Sequence, residues 1–212
     1  MPATSTVSIA AFTALWAAAM AAYPGWNAFD SASIGHSWWQ NFLCDLLSAQ
    51  TPDGRDNALA SLAMTGATLA LVFGSLLPIW LRYAPRSGPR RTLYRSLVGL
   101  AVLLATLIAV EQAWALPLPH GTATLAAGMA GLAPTAVVMQ HDWRFGGSRL
   151  RRVVSLLVLA AVGTNFVSYA MVQAGGELTP VVPTAQKLAL VFLLLWLLLL
   201  GQRRPLARAS SA

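Results

Sequence analysis

Charge is scarce in this chain: only 10% of its 212 residues are Asp, Glu, Lys or Arg, against about a quarter in an ordinary soluble domain. With 57% of the residues hydrophobic, that scarcity excludes a typical soluble enzyme. Cysteine is almost missing as well. The single Cys44 cannot form an intramolecular disulfide, and no Cys-x-x-Cys or Cys/His cluster exists for structural zinc. There is no phosphate-cradling glycine loop, no G-x-S-x-G and no H-E-x-x-H. Nucleotide-binding, serine-hydrolase and zincin signatures are therefore absent.

What the chain has instead is long apolar runs. A membrane-crossing helix needs about 20 mostly apolar residues, because the hydrocarbon layer is about 30 Å thick and a helix rises about 1.5 Å per residue. Six stretches meet this condition, over 7–23, 58–81, 93–115, 121–140, 153–174 and 184–201. Lipid offers the backbone no hydrogen-bond partner, so each run must be helical, and none has the alternation of an outer-membrane barrel strand. The expected fold is all-α: one polytopic bundle of six transmembrane helices covering 1–212, without internal repeats or linkers.

A net charge of +7 with a pI near 10.8 would suggest nucleic acid in a soluble chain. The placement of the charge says otherwise. Arg82, Arg86, Arg90, Arg91 and Arg95 join runs two and three; Arg144, Arg149, Arg151 and Arg152 join four and five; Arg203, Arg204 and Arg208 follow run six. In a six-span alternation these segments share one side, which the positive-inside rule makes the cytoplasm, with both termini inside. The opposite side holds Arg55 and Lys187 with six of the seven acids: Asp30, Asp45, Asp53, Asp56, Glu111 and Glu177. The basic charge is thus a topology signal. Membrane lipids are the expected partners, and nucleic acid is not.

The first run is short and ends in Ala-Met-Ala-Ala, which resembles a signal-peptidase site, but its leader lacks the Lys or Arg of a signal peptide. A retained helix is favoured. The arginine- and alanine-rich composition suggests a GC-rich bacterial genome, and hence a bacterial cytoplasmic (inner) membrane.

Small residues at four-residue spacing, Gly66, Ala70 and Gly74 in run two and Ala123, Ala127 and Gly131 in run four, let helix backbones approach closely in lipid. Both runs are expected to be central. Run six, leucine-rich around Trp196, has no small-residue face and is expected at the periphery. Pro78 and Pro134 are expected to kink or end their helices. Between runs one and two, Trp39, Phe42, Leu43, Leu46 and Leu47 recur at helical spacing. They predict an amphipathic helix over 36–49 lying on the outer leaflet, with Trp38 and Trp39 in the interfacial belt. The turn that follows offers Asp56 or Asn57 as a cap for run two.

Ionisable groups at membrane depth are functional candidates by default. Glu111 lies about 24 Å along its helix from Arg95, in the outer part of run three. Asn57, Ser61, Thr65 and Thr68 of run two, His120 and Thr124 of run four, Asn165, Ser168 and Tyr169 of run five, and Thr184 and Lys187 of run six fall in the same layer. An outward pocket lined by Asp45, Ser61, Glu111, His120, Asn165 and Tyr169 is the candidate ligand site. The alternative for the Ser, Thr and Asn groups is interhelical hydrogen-bond glue. Glu111 could equally pair with Lys187 or His120 or reach the headgroups, and Asp45 could be a solvated acid. No metal site and no cofactor are predicted: the His and acid spacing is not diagnostic, and His141 lies about 31 Å from His120. His141-Asp142-Trp143-Arg144 is expected to be a solvated helix end.

Tyr23-Pro24-Gly25, then Asn41-Phe-Leu-Cys-Asp-Leu-Leu-Ser48, then the Thr51–Asn57 turn resemble bacterial six-span proteins distantly similar to the DRAM/Frag type, over about a third of the chain. That resemblance implies the six-span plan, an extracytoplasmic first loop packed on the bundle, lipid-related or scaffold roles, and Asp45 as the matching motif residue. Ceramidase-like hydrolases need a late His-x-x-x-His pair, which this chain lacks. The leading expectation is a non-enzymatic protein binding a lipid or small amphiphile. A membrane-embedded hydrolase or transferase using Asp45, Glu111 and His120 as catalytic candidates is the rival, and a transporter comes third.

Overall fold

A computed structural model describes residues 2–111, 120–145 and 148–201. The elements are α1 (Pro2–Ala22), the strands β1 (Gly25–Asn27) and β2 (Asp30–Ile34), α2 (Ala58–Leu71), α3 (Leu77–Arg82), α4 (Pro89–Glu111), α5 (His120–Arg144), α6 (Arg149–Gln173) and α7 (Val181–Gly201). Among the described residues six helices are long and apolar enough to cross a membrane, with α2 and α3 forming one of them. The chain is an all-α six-helix bundle, the architecture of a multi-pass membrane protein.

The second span is continuous through Pro78 because a π-helical segment, Val72–Leu76, joins α2 to α3. Proline has no N–H for the usual bond to the preceding turn. The wider turn absorbs that loss, and the Leu77 amide donates to the Val72 carbonyl five residues back. Pro134 likewise lies inside α5 rather than at its end. Neither proline terminates its span.

Small residues do bring helices together at the expected places. A Cβ on Gly74 would collide with the Ser8 side chain, so α1 and the π segment pack closely there. The Ser8 and Ser75 hydroxyls hydrogen-bond across this contact. Gly131 of α5 accepts the Trp80 ring, whose Nε1 donates to Thr135 Oγ1 at 3.2 Å, and Tyr94 Oη donates to the Trp80 carbonyl at 2.8 Å. Helices α3, α4 and α5 are thus tied through a single tryptophan near the arginine-rich end.

Two expectations about packing fail. Helix α7 is not peripheral: 33% of its apolar stretch is buried, the largest share of the six spans, against 17% for α6. Trp196 and Leu197 are wholly enclosed, and α7 packs on both α6 and α1. A helix apolar on every side carries no phase that separates lipid from protein. The second failure is the His141–Arg144 end of α5, which is not solvated at Asp142. That residue has 0% exposure and faces Arg151 Nε of the returning α6 at 3.5 Å. Helix α6 brings a counter-ion to the acid, which lets it be buried.

Candidate functional site: a loop-capped cleft between two helices

The expected helix over 36–49 does not form. Instead the chain leaving α1 makes a two-stranded antiparallel hairpin, β1 with β2, followed by turns and a single 3-10 turn at Cys44–Leu46. Polar side chains capture the backbone groups that a helix would need. Asn27 Oδ1 accepts from the Phe29 and Asp30 amides, both at 2.9 Å, and closes the hairpin turn. Asn41 Oδ1 accepts from the Ser37 amide at 2.8 Å, and Asp45 Oδ2 accepts from the Phe42 amide at 2.8 Å. Gly25 is required where it stands, with φ of 124° and a virtual Cβ 2.2 Å from the Ser33 carbonyl oxygen.

The apolar residues that suggested an amphipathic helix are used differently. Leu46 and Leu47 point into the bundle core, and Trp38 packs on Trp16 of α1 with ring centroids 5.4 Å apart. Trp39 remains 61% exposed. The loop is therefore a cap that plugs the bundle, not a helix laid on its surface.

Asn41 is the centre of this cap. It is fully buried, and its Nδ2 donates to the Trp26 carbonyl at 2.7 Å and to Asp45 Oδ2 at 3.0 Å. Its own carbonyl accepts from the ammonium of Lys187, on α7, which is also fully buried and lies 5.9 Å from the centroid of Trp38. Next to it, Gln186 Oε1 accepts from the Leu43 amide at 2.8 Å. Asn57 and Ser61 hold the other side: Asn57 Nδ2 donates to the Asp45 and Ser48 carbonyls, at 3.1 and 2.7 Å, and Ser61 Oγ donates to the Leu47 carbonyl. Of the two residues offered as a helix cap, Asp56 accepts from the Ala58 amide at 3.0 Å while the Asn57 side chain faces the loop. Arg55 clamps the hairpin, donating to the Pro24, Ser33 and Ser31 carbonyls while paired with Asp53 at 2.6 Å. The Thr51 hydroxyl, and after it that guanidinium, hold the Asp53 carboxyl below the ordinary carboxylate range.

Beneath the cap lies a cavity of about 290 Å³. Its long walls are the first half of α5, around Gly128 and Leu132, and the α6 segment around Leu159, Gly163 and Phe166. Its roof is Phe42 and Cys44 of the cap with Gln186 of α7. Although consecutive in the chain, α5 and α6 pack on each other far less than α4 on α5 or α6 on α7. An ion pair between them, Asp142–Arg151, is at the arginine-rich end, and the two helices part toward the cap. Two smaller cavities share walls with the first. One, of about 220 Å³, continues past Leu132 to Trp80 and Thr135; the other, of about 200 Å³, runs beside Cys44, Gln186 and Leu190.

The sequence-derived candidates thus divide. Asn165 and Tyr169 line the cavity, one helical turn apart on α6. Asp45 and Ser61 serve the cap, through the hydrogen bonds given above. Ser61 therefore acts as glue, as does Thr65, whose hydroxyl donates to the Ala109 carbonyl of α4 at 2.8 Å. The side chains of Glu111 and His120 lie outside the described residues. Gln186 and the glycines Gly128 and Gly163 were not legible as cavity residues, since nothing in local spacing brings α5, α6 and α7 to one place.

Cys44 borders two cavities, and its thiol is pushed up from its ordinary pKa, first by burial and then by the Asp45 carboxylate. A thiol held protonated is a poor nucleophile. No group of three or more His, Cys, Asp or Glu side chains with metal-binding geometry occurs among the described residues. No protein-family model, no curated protein and no solved structure matches the chain.

Proposed function

We propose that this chain is a multi-pass protein of a bacterial inner membrane that binds a lipid or small amphiphile in the α5–α6 cleft, in a scaffold or sensing role. The observation that carries this reading is the cleft itself: about 290 Å³, apolar along its walls, with hydrogen-bonding side chains grouped beneath the cap. Shared walls extend it toward Trp80 and Thr135. On α5 the distance from Thr124 to Thr135 is about 16 Å, more than half the hydrocarbon thickness, which suits an extended acyl chain. The placement of Asp45 within the cap favours lipid binding over the hydrolase reading, because its carboxylate already accepts two hydrogen bonds.

Native mass spectrometry of the protein extracted in mild detergent is expected to show a retained lipid. Reproducible emptiness would sink the proposal. The cap is expected on the periplasmic side, from the charge asymmetry. A topology reporter inserted near Asp53 should then read periplasm and one fused after Ala212 cytoplasm. The reverse pattern would place the cleft mouth in the inner leaflet.

A further inference from the structure

We infer that the cleft admits an uncharged lipid sideways from the bilayer and holds its hydroxyl- or carbonyl-bearing head with Asn165, Tyr169 and Gln186. This rests on the lipid-binding reading above and adds the route and the class of head group. The route follows from the walls. Met129 and Val167, on facing helices, are 61% and 57% exposed, so the long side of the cleft opens toward the space where acyl chains lie. Gly128 and Gly163 are what keep it open. A Cβ at either position would meet nothing within 4 Å, whereas a Cβ at Gly131 one turn on would touch Trp80. The two glycines do not serve close helix packing; they leave room.

The head-group class follows from chemistry. Among the described residues neither Asn165 nor Tyr169 makes a hydrogen bond, although both sit on a membrane-spanning helix and line the cleft. A carboxamide and a phenol in such a place are costly without a partner. Gln186 uses its Oε1 on the Leu43 amide and keeps its Nε2 as a donor beside them. Donors and acceptors are therefore both on offer. Charge is not: no Asp, Glu, Lys, Arg or His is among the cleft's described lining residues. The nearest cation along α7, Lys187, is enclosed against the Asn41 carbonyl and Trp38. A phosphate or carboxylate head would enter with no counter-charge, whereas an ester carbonyl or hydroxyl finds matched partners.

The test uses the full chain in phosphatidylcholine nanodiscs doped, in separate arms, with dioleoylglycerol, oleic acid or phosphatidylglycerol, read by native mass spectrometry. Dioleoylglycerol should be retained in preference to both anionic lipids. Asn165→Leu should cut that retention roughly three- to tenfold, the scale of one lost hydrogen bond. Gly163→Leu should abolish it by filling the open space, with Gly128→Leu as the second filling variant should the first not fold. Retention of oleic acid or phosphatidylglycerol equal to or above that of dioleoylglycerol, displaced by the filling variants, would overturn the uncharged-head inference and leave lipid binding standing. If no doped lipid is retained, or if neither filling variant displaces it, the cleft reading falls as well.

Discussion

Replacing Lys187 by methionine releases the cap from α7: the protein loses on the order of 3 kcal/mol of stability, and Cys44 becomes open to alkylation. The size of the effect follows from what the ammonium does. It is fully buried, donates to the Asn41 carbonyl, lies over Trp38, and interacts electrostatically with Asp45. Methionine retains most of the apolar volume of the stem, so packing changes little. What it removes is the cation. A buried carbonyl and a carboxylate on the cap then lose their matching charge, and removal of one partner of such an arrangement is far costlier than its net contribution to stability. Two measurements check this: the thermal unfolding midpoint in detergent, and iodoacetamide labelling of Cys44 at neutral pH, which the folded cap should suppress. A variant as stable as the parent, with Cys44 still unlabelled, would show that the cap is held by other contacts.

Acidification should weaken the same region through His36. Its ring meets Tyr23 edge-on at 5.8 Å, and its pKa is lowered from 6.5 to about 4, first by burial and then by the positive charge of Lys187. The native state therefore resists a proton that the unfolded chain accepts. Between pH 6.5 and 4 the unfolded state binds more protons, so the contribution is fully present above about pH 6.5 and declines as the pH falls toward 4. The loss at the lower limit is on the order of 3 kcal/mol. Unfolding midpoints measured at a series of pH values between 7 and 4 should show the decline, and His36→Gln should flatten it. A slope that survives in the variant would assign the sensitivity to another group.

Both effects centre on a region where sequence reasoning was weakest, and the reason is physical. The six spans were legible because apolar length is a property of each segment alone, and the ends differ by only a few residues; α4, for instance, begins at Pro89 and not at Leu93. The side that each helix turns to its neighbours is legible only where polarity varies around it. Gly74 and Gly131 marked close approaches correctly, while the leucines around Trp196 marked nothing. In the cap, helical spacing of Trp39, Phe42, Leu43, Leu46 and Leu47 was real, but the Asn41 and Asp45 side chains compete for the same backbone groups and win. Asn165 and Tyr169 stood out as polar residues four apart on an apolar helix. Their partner Gln186 did not, because a glutamine near a helix start is unremarkable until α7 is known to pass under the loop.

The π segment at Val72–Leu76 gives the second span a property that no straight helix has. One extra residue in a helical turn rotates everything beyond it by about 100°. The loop-ward part of the span turns Ala60, Ser61 and Met64 inward, while the arginine-ward part turns Trp80 toward Tyr94 and Thr135. A single rod thus has two azimuths, one matched to α1, the cap and the far end of α4, the other to the start of α4 and to α5. It couples the two halves of the bundle as a stepped key fits two locks, and the phase of its apolar residues changes midway through the membrane.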